Sequence, residues 1–353
     1  MDTIDIIIAG HAASRIVQGA APEGVAAFLE DYPEIFLVYD SRTEPHAERI
    51  QKALMPSGRL RSVCSIETSE EGKTMGTVLE LEDWLLRSGA GRNALLLAVG
   101  GGITTDVAGF TACIYKRGIR FAFVPTTLLS QVDAAIGGKT GVNFRDYKNM
   151  LGIIRQPQFT YICPAVLESL PYREFVGGSA ELLKTFIISG GSNYDRAVGI
   201  LSEIWSKNGD FEGYGPDIQE LVMAAAAVKA GVVSRDENES GERRKLNLGH
   251  TFAHAIEHEA RKTGRDITHG EAVAIGMVQA ARLASEGFAR TLRADLVCCG
   301  LPADLPFPLE TLRDAMALDK KAEGGKVHFI VPHAVGDVRI EDMTVEEALS
   351  RLI

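Results

Sequence analysis

Short runs of apolar residues recur through the first half of the chain, separated by stretches with helical spacing. Residues 4–9, 34–40, 94–99, 120–124 and 158–162 each read as a strand. Apolar strands alternating with helical periods predict a parallel α/β sheet. From residue 167 the texture changes to longer helical periods. Residues 180–188 read as an apolar helix, 215–235 and 271–287 as Ala-rich helices, and 326–332 as a late strand or hairpin. A length of 353 residues, at about 150 per domain, points to two domains. The expected architecture is an α/β N-terminal domain with a Rossmann-like parallel sheet over residues 1–166. A mainly α-helical domain over residues 167–353 follows, expected to carry metal and substrate. No internal repeat or low-complexity segment interrupts this plan.

Composition narrows the class. Hydrophobic residues at 46% and charged residues at 24% describe an ordinary globular protein. The 37 basic against 47 acidic residues leave a net charge of −10, which argues against nucleic acid or an anionic membrane as the main partner. A local basic pocket for a small anion stays compatible with that balance. The first ten residues are acidic and strand-like rather than signal-like, and no apolar run approaches the roughly 20 residues that span a bilayer. The 5 cysteines show no C-x-x-C spacing and read as reduced thiols, so a cytoplasmic protein is expected.

Candidate chemistry sits mainly in the second half. His250, His254 and His258 recur at i, i+4 and i+8; on a helix the first two share a face and the third drifts about 80° from the first. Phe252, Ala255 and Ile256 between them suit a buried helix, and His269 stands just before a second apolar helix. Such imidazoles suggest a place where a metal is bound or a proton moves. Any one of them alone is more often a satisfied core or surface side chain. Glu181 and Lys184 fall on one face of the apolar helix, where burial is costly unless each has a partner or a ligand. A simple internal ion pair is the alternative to a ligand-binding role.

In the first half, Gly100-Gly101-Gly102 follows a strand and opens a helix, a good cradle for a diphosphate. It is not G-x-G-x-x-G, so alone it is a weak signal. Asp40, closing an earlier strand, suits a ribose hydroxyl or a turn cap equally. Gly137-Gly138-Lys139-Thr140 ends like a P-loop but lacks the earlier glycine, which excludes a nucleotide triphosphatase of that type.

Taken in order, these motifs resemble the 3-dehydroquinate synthases, within the sugar-phosphate cyclases. The resemblance runs from about Glu67 to Pro332. It rests on Gly100-Gly101-Gly102 with Asp106, the 115–120 segment, Pro125-Thr126-Thr127, and the stretch from Gln131 to Asn143 with Lys148-Asn149. The second half adds Ala180-Glu181 with Lys184, Asn247-Leu248-Gly249-His250-Thr251 with His254, His269-Gly270-Glu271 and Asp319-Lys320-Lys321. Each block is weak; their joint order is specific.

The resemblance implies an enzyme that holds NAD and one divalent metal, usually zinc, with cobalt an alternative. It would convert 3-deoxy-D-arabino-heptulosonate 7-phosphate into 3-dehydroquinate and phosphate, the second step of the shikimate pathway. Glu181, His250 and His269 would be the metal ligands, and His254 would sit by the phosphate. Lys139, Asn149 and Lys320 or Lys321 would donate to that phosphate, joined by Arg117 from the neighbouring subunit of a homodimer. Arg243, Lys184, Lys229 and Asn247 would hold carboxylate and hydroxyls, with Asp133 accepting from a hydroxyl. For NAD the resemblance marks Asp40, Glu70, Lys73, Gly100, Gly101, Gly102, Asp106, Thr126, Thr127, Lys139 and Lys148. His258 lies outside the pattern and reads as structural.

Two departures stand out. The G-E-x-x-K stretch of the family reads Ser69-Glu70-Glu71-Gly72-Lys73 here, and Thr104-Thr105 precedes Asp106 where an apolar residue and Gly are common. A Thr-Thr-Asp string also occurs in cyclases that make valiolone-type products, so such a cyclase is one alternative. A metal-dependent glycerol or alcohol dehydrogenase is another, and a non-catalytic sugar-phosphate sensor a third. The dehydrogenase would need no cations around a dianion, and the sensor would have lost a ligand or a phosphate cation.

Overall fold

The computed structural model describes residues 3–145, 147–318 and 326–352. Lys320 and Lys321 lie outside the described residues. The chain forms two compact units: Met1–Leu170 with Ile218–Asn238, and Pro171–Asp217 with Glu239–Ile353.

The first unit contains β1 (Thr3–Ile8), β2 (His11–Gln18), β3 (Ile35–Asp40), β4 (Leu60–Ile66), β5 (Leu95–Gly100), β6 (Arg120–Pro125), β7 (Lys139–Phe144), β8 (Tyr147–Ile154) and β9 (Phe159–Ile162). Its helices are α1 (Glu44–Leu54), α2 (Met75–Arg87) and α3 (Gly102–Ile114). Seven strands form one sheet in the order β1-β2-β9-β6-β5-β3-β4, in which only the β1–β2 pair is antiparallel. Phe36, Val38, Leu96 and Ala98 face a core with α2 and α3, while Ile35, Leu37, Leu95 and Leu97 face a second core with α1. A sheet covered on both faces needs apolar residues at every position, which is why its central strands stand out as unbroken apolar runs.

The five strand segments expected from the sequence correspond to β1, β3, β5, β6 and β9. The strands β2 and β4 and the β7–β8 hairpin add to them. β4 lies at a sheet edge and is half-exposed, so its sequence mixes polar and apolar positions. The P-loop-like glycines lead into β7 rather than into a helix.

The second unit holds α4 (Tyr172–Ser189), α5 (Asn193–Ser206), α7 (His250–Thr263), α8 (His269–Arg282), α9 (Glu286–Cys298), α10 (Leu312–Leu318), α11 (Val345–Leu352) and the antiparallel hairpin of β10 (Val327–Ala334) and β11 (Asp337–Met343). The remaining helix, α6 (Gly215–Arg235), belongs mostly to the first unit. The expected single boundary after residue 166 therefore differs from the observed division. The first unit extends to Leu170, and Ile218–Asn238 returns to it. Side chains of α6 explain the return: Lys229 binds the Asp133 carbonyl at 2.6 Å and its carboxylate, and Ser234 accepts from the Ile7 N–H at 2.9 Å.

Within the second unit α8 packs against α4, α7 and α9 and is buried at Gly270 and from Ala272 to Ala281. The helix α4 is buried from Phe175 to Ile187, so Glu181 and Lys184 lie inside it without solvent. Helix α8 meets its neighbours through bare backbone. A Cβ on Gly270 would stand 1.9 Å from the Gly177 carbonyl oxygen, and one on Gly276 would stand 2.2 Å from that of Gly249. No larger residue fits either contact.

Candidate functional site

In the second unit, these close contacts bring Glu181 of α4 to the first residues of α7 and α8. The Nε2 atoms of His250 and His269 lie 3.7 and 3.4 Å from Glu181 Oε1. One donor atom from each of the three residues falls within 4.8 Å of the others. The opposite ring nitrogens are already used: His250 Nδ1 donates to the Leu248 carbonyl at 3.2 Å, and His269 Nδ1 to Glu257 Oε1 at 3.2 Å. Both Nε2 atoms are thereby aimed at Glu181, the arrangement in which outer partners orient metal-binding imidazoles.

The electrostatics agree with the geometry. Burial opposes the Glu181 charge, yet Lys184 and the two imidazoles hold its pKa well below the usual carboxylate range. Burial, with the Lys184 charge, presses His250 down to about 3. Burial also acts against a charged His269, but the Glu181 and Glu257 carboxylates push it up to about 10. Once an arriving cation displaces the His269 proton, the carboxylate kept ionised out of water beside two imidazoles is an O/N/N donor set that suits a divalent metal and leaves coordination positions open. The residues present therefore fit a metal such as zinc.

Neighbouring positions sort themselves around this set. His254, one turn on, stacks edge-on to His250 with ring centroids 5.7 Å apart and is half-buried. His258 is turned to Glu259 at 3.6 Å, in keeping with a structural role. Arg243 is buried on the turn before α7, and Asn247 donates to Glu239 Oε1 at 2.6 Å. Glu257 was not among the residues singled out from the sequence. The signal was available, since an acid seven residues after His250 lies two turns along the same face of a helix. Glu257→Gln is expected to weaken zinc binding by roughly tenfold to a hundredfold, read by chelator competition, because the His269 ring loses a charged partner.

In the first unit, Asp40, Gly100 and Thr126 come side by side. The register pairs Tyr39 with Val99 and Gly100 with Pro125, so all three residues stand at the carboxyl edge of the sheet. Open parallel sheets take ligands at that edge. The Thr126 N–H donates to the Gly100 carbonyl at 2.9 Å, and Thr127 packs on Gly101. The first turn of α3 begins here without an acidic residue, which leaves its N–H groups to favour an anion.

Four residues expected at the cofactor, Glu70, Lys73, Asp106 and Lys148, form one network beside this edge with Asn143 and the phosphate candidate Asn149. Lys73 Nζ donates to Asp106 Oδ2 at 2.6 Å and to Asn149 Oδ1 at 2.5 Å. Asn143 donates to Glu70 Oε1 at 2.9 Å and accepts from the Asn149 N–H at 2.9 Å, and Lys148 lies 3.6 Å from Glu70. The displaced glycine therefore leaves Lys73 in reach of Asp106. Burial raises the Asp106 pKa even beside Lys73.

Asp40 acts as a cap. It is buried, accepts from the Arg42 N–H at 3.0 Å and from its guanidinium at 3.1 and 2.7 Å, and also accepts from the Thr68 hydroxyl. A ribose hydroxyl would have to replace Arg42 there. Thr104 and Thr105 are both buried; Thr105 bonds back to the Gly102 carbonyl at 3.0 Å, and Thr104 packs on Gly100. Both lie in the opening of α3, where the Thr104 hydroxyl is buried without a hydrogen-bond partner among the described residues. Lys139 begins β7 and is exposed, as is Arg117.

Comparison with known proteins agrees with both halves of this arrangement. The family model described as 3-dehydroquinate synthase N-terminal matches residues 63–177, and the one described as 3-dehydroquinate synthase C-terminal matches residues 178–322. The chain belongs to the 3-dehydroquinate synthase family. The 3-dehydroquinate synthase of Alkaliphilus metalliredigens is 38% identical over 322 residues, covering 89% of this chain and 88% of that protein. The one from Pyrococcus abyssi is 41% identical over 293 residues, covering 81% and 83%. Among solved structures, 2-epi-5-epi-valiolone synthase from Streptomyces hygroscopicus subsp. jinggangensis 5008, with NAD+ and Zn2+ bound, aligns with a TM-score of 0.85 at 28% identity over 96% of this chain and 95% of that one. A probable glycerol dehydrogenase from Sinorhizobium meliloti 1021 shares only the fold, with a TM-score of 0.62 at 15% identity over 96% and 95%. Among the described residues no helix is long and apolar enough to cross a membrane.

Proposed function

We propose that this protein is a 3-dehydroquinate synthase, a phosphorus–oxygen lyase that converts 3-deoxy-D-arabino-heptulosonate 7-phosphate into 3-dehydroquinate and phosphate. The observation that carries the reading is the Glu181, His250 and His269 donor set with both Nε2 atoms turned inward. These residues would hold one divalent metal, zinc or cobalt, which supplies Lewis acidity to substrate hydroxyls. Gly100–Gly102, with Lys73 and Asp106 nearby, would hold NAD, which would supply a reversible hydride acceptor beside the substrate.

The chain's own side chains do the rest. Lys139, Asn149 and Lys320 or Lys321 would bind the phosphate, and His254 would position it and manage its proton. Arg243, Lys184, Lys229 and Asn247 would hold carboxylate and hydroxyls, and Asp133 would accept from a hydroxyl. Charge-assisted bonds to both anionic groups explain a set of cations in an acidic protein. Purified protein given the heptulosonate phosphate and trace NAD should release phosphate with no net NADH. Stoichiometric NADH from an unphosphorylated alcohol would instead establish the dehydrogenase.

A cytoplasmic homodimer with shared sites completes the reading. Arg117 is exposed on a turn where Lys116, Arg117 and Gly118 all have positive φ, at 48°, 70° and 111°. Left-handed backbone at two consecutive non-glycine residues costs about 1–2 kcal/mol each, and such strain concentrates at functional positions. Mixing Arg117→Ala chains with His250→Ala chains should restore up to about half the activity per mixed dimer, because one site then carries both defects and the other none. No recovery on verified mixing would return Arg117 to a plain surface role.

A further inference from the structure

The first residue of α8 is His269, and the segment around it is held from α4 at three successive levels. Arg173, in the first turn of α4, donates through Nε to Glu271 Oε1 and through Nη2 to Glu271 Oε2, each at 3.0 Å. Its Nη2 also reaches the Asp266 carbonyl at 3.0 Å, and Nη1 meets the Asp266 carboxylate. Glu271 in turn accepts from the Thr268 N–H at 2.8 Å, while Thr268 Oγ1 accepts from the Glu271 N–H at 3.3 Å, a reciprocal helix cap. One turn along α4, Gly177 lies against Gly270; one turn further, Glu181 faces His269. Arg173, Gly177 and Glu181 thus follow i, i+4 and i+8 on one side of α4, and each meets the start of α8.

We propose that Arg173 is a positioning residue for the metal set. Its guanidinium grips both flanks of His269, Asp266 before it and Glu271 after it, and so fixes how far the imidazole stands from Glu181. The glycine contact sets how closely the helices approach, and the Arg173 fork sets their register along each other. Arg173 is 49% exposed in its side chain, and an ordinary ion pair at such exposure contributes little to stability. The two-sided bidentate hold is what distinguishes it, since restraint of a ligand's position acts on affinity even where stability hardly changes. The inference rests on reading Glu181, His250 and His269 as metal ligands.

The test uses metal-stripped full-length protein and the metal alone. Zinc affinity is measured by competition with a chromophoric chelator, and Co2+ is added to record its d–d absorption, which reports ligand number and geometry. Arg173→Ala is expected to weaken zinc binding by roughly tenfold and to change the Co2+ bands. Arg173→Lys should fall between, because an ammonium cannot reproduce the fork. Glu271→Gln should follow Arg173→Ala. Arg293→Ala removes a similarly exposed fork to Asp304, at 2.8 and 2.7 Å, and should leave metal binding unchanged. Wild-type affinity and spectrum in Arg173→Ala, or equal losses in Arg173→Ala and Arg293→Ala, would overturn the proposal. If Arg173→Ala does not fold, Arg173→Lys and Glu271→Gln decide by the same two readouts. Wild-type protein that takes up no Co2+ would overturn the metal reading itself.

Discussion

Glu181→Gln is expected to abolish turnover, strip the metal and lower the thermal midpoint by several degrees, whereas His250→Ala should do the first two with a smaller thermal effect. The difference lies in Lys184. Glu181 and Lys184 are both fully buried on α4 and form an ion pair. Removing one charge of a buried pair costs roughly 3–5 kcal/mol, because the other ion loses the field that offset its desolvation. Gln keeps an oxygen in place but not the charge that holds either the metal or Lys184. His250→Ala leaves that pair intact and removes one nitrogen donor. Loss of Lewis acidity worth about 4 kcal/mol slows the reaction on the order of a thousandfold. Metal analysis, phosphate release and thermal unfolding of the two variants check all three effects. A Glu181→Gln protein with full metal and an unchanged midpoint would refute the account.

His254→Ala should behave in the opposite way. It is expected to keep full metal content and wild-type stability, yet to lose a factor of about 10²–10⁴ in phosphate release, the usual contribution of a positioned acid–base group. His254 stands one turn beyond His250 on the same helix, edge-on to it, and outside the donor set formed by Glu181, His250 and His269. A residue so placed would stand near a metal held by that set without binding it. Metal loss equal to that of His250→Ala would make it a ligand instead. Normal phosphate release with metal retained would make it a spectator.

The amino-acid sequence determined the sheet's interior strands, because strands covered on both faces must be apolar throughout and no other segment type shows such short unbroken runs. It also placed His250 and His254 on one helical face and drew attention to Glu181 with Lys184 in an apolar helix, because charged groups there conflict with burial. The β4 edge strand escaped notice, since a half-exposed strand carries mixed polarity, and the β7–β8 hairpin escaped behind its glycines. The return of Ile218–Asn238 to the first unit was not legible either. Periodicity marks a helix but not which neighbour it joins; Lys229 and Ser234 decide that only through Asp133 and Ile7, far away in the chain.

The site divides in the same way. Residue type and motif order nominated Glu181, His250 and His269, but their meeting depends on backbone contacts at Gly177–Gly270 and Gly249–Gly276. Asp40, equally suited to a ribose or a cap, is seen as a cap once Arg42 and Thr68 surround it. Glu257 and Arg173 act through a partner on another helix, and a partner is a property of the packed chain. Sequence periodicity reports which side of an element is buried; only tertiary structure decides which buried faces touch, and hence which side chains share a ligand.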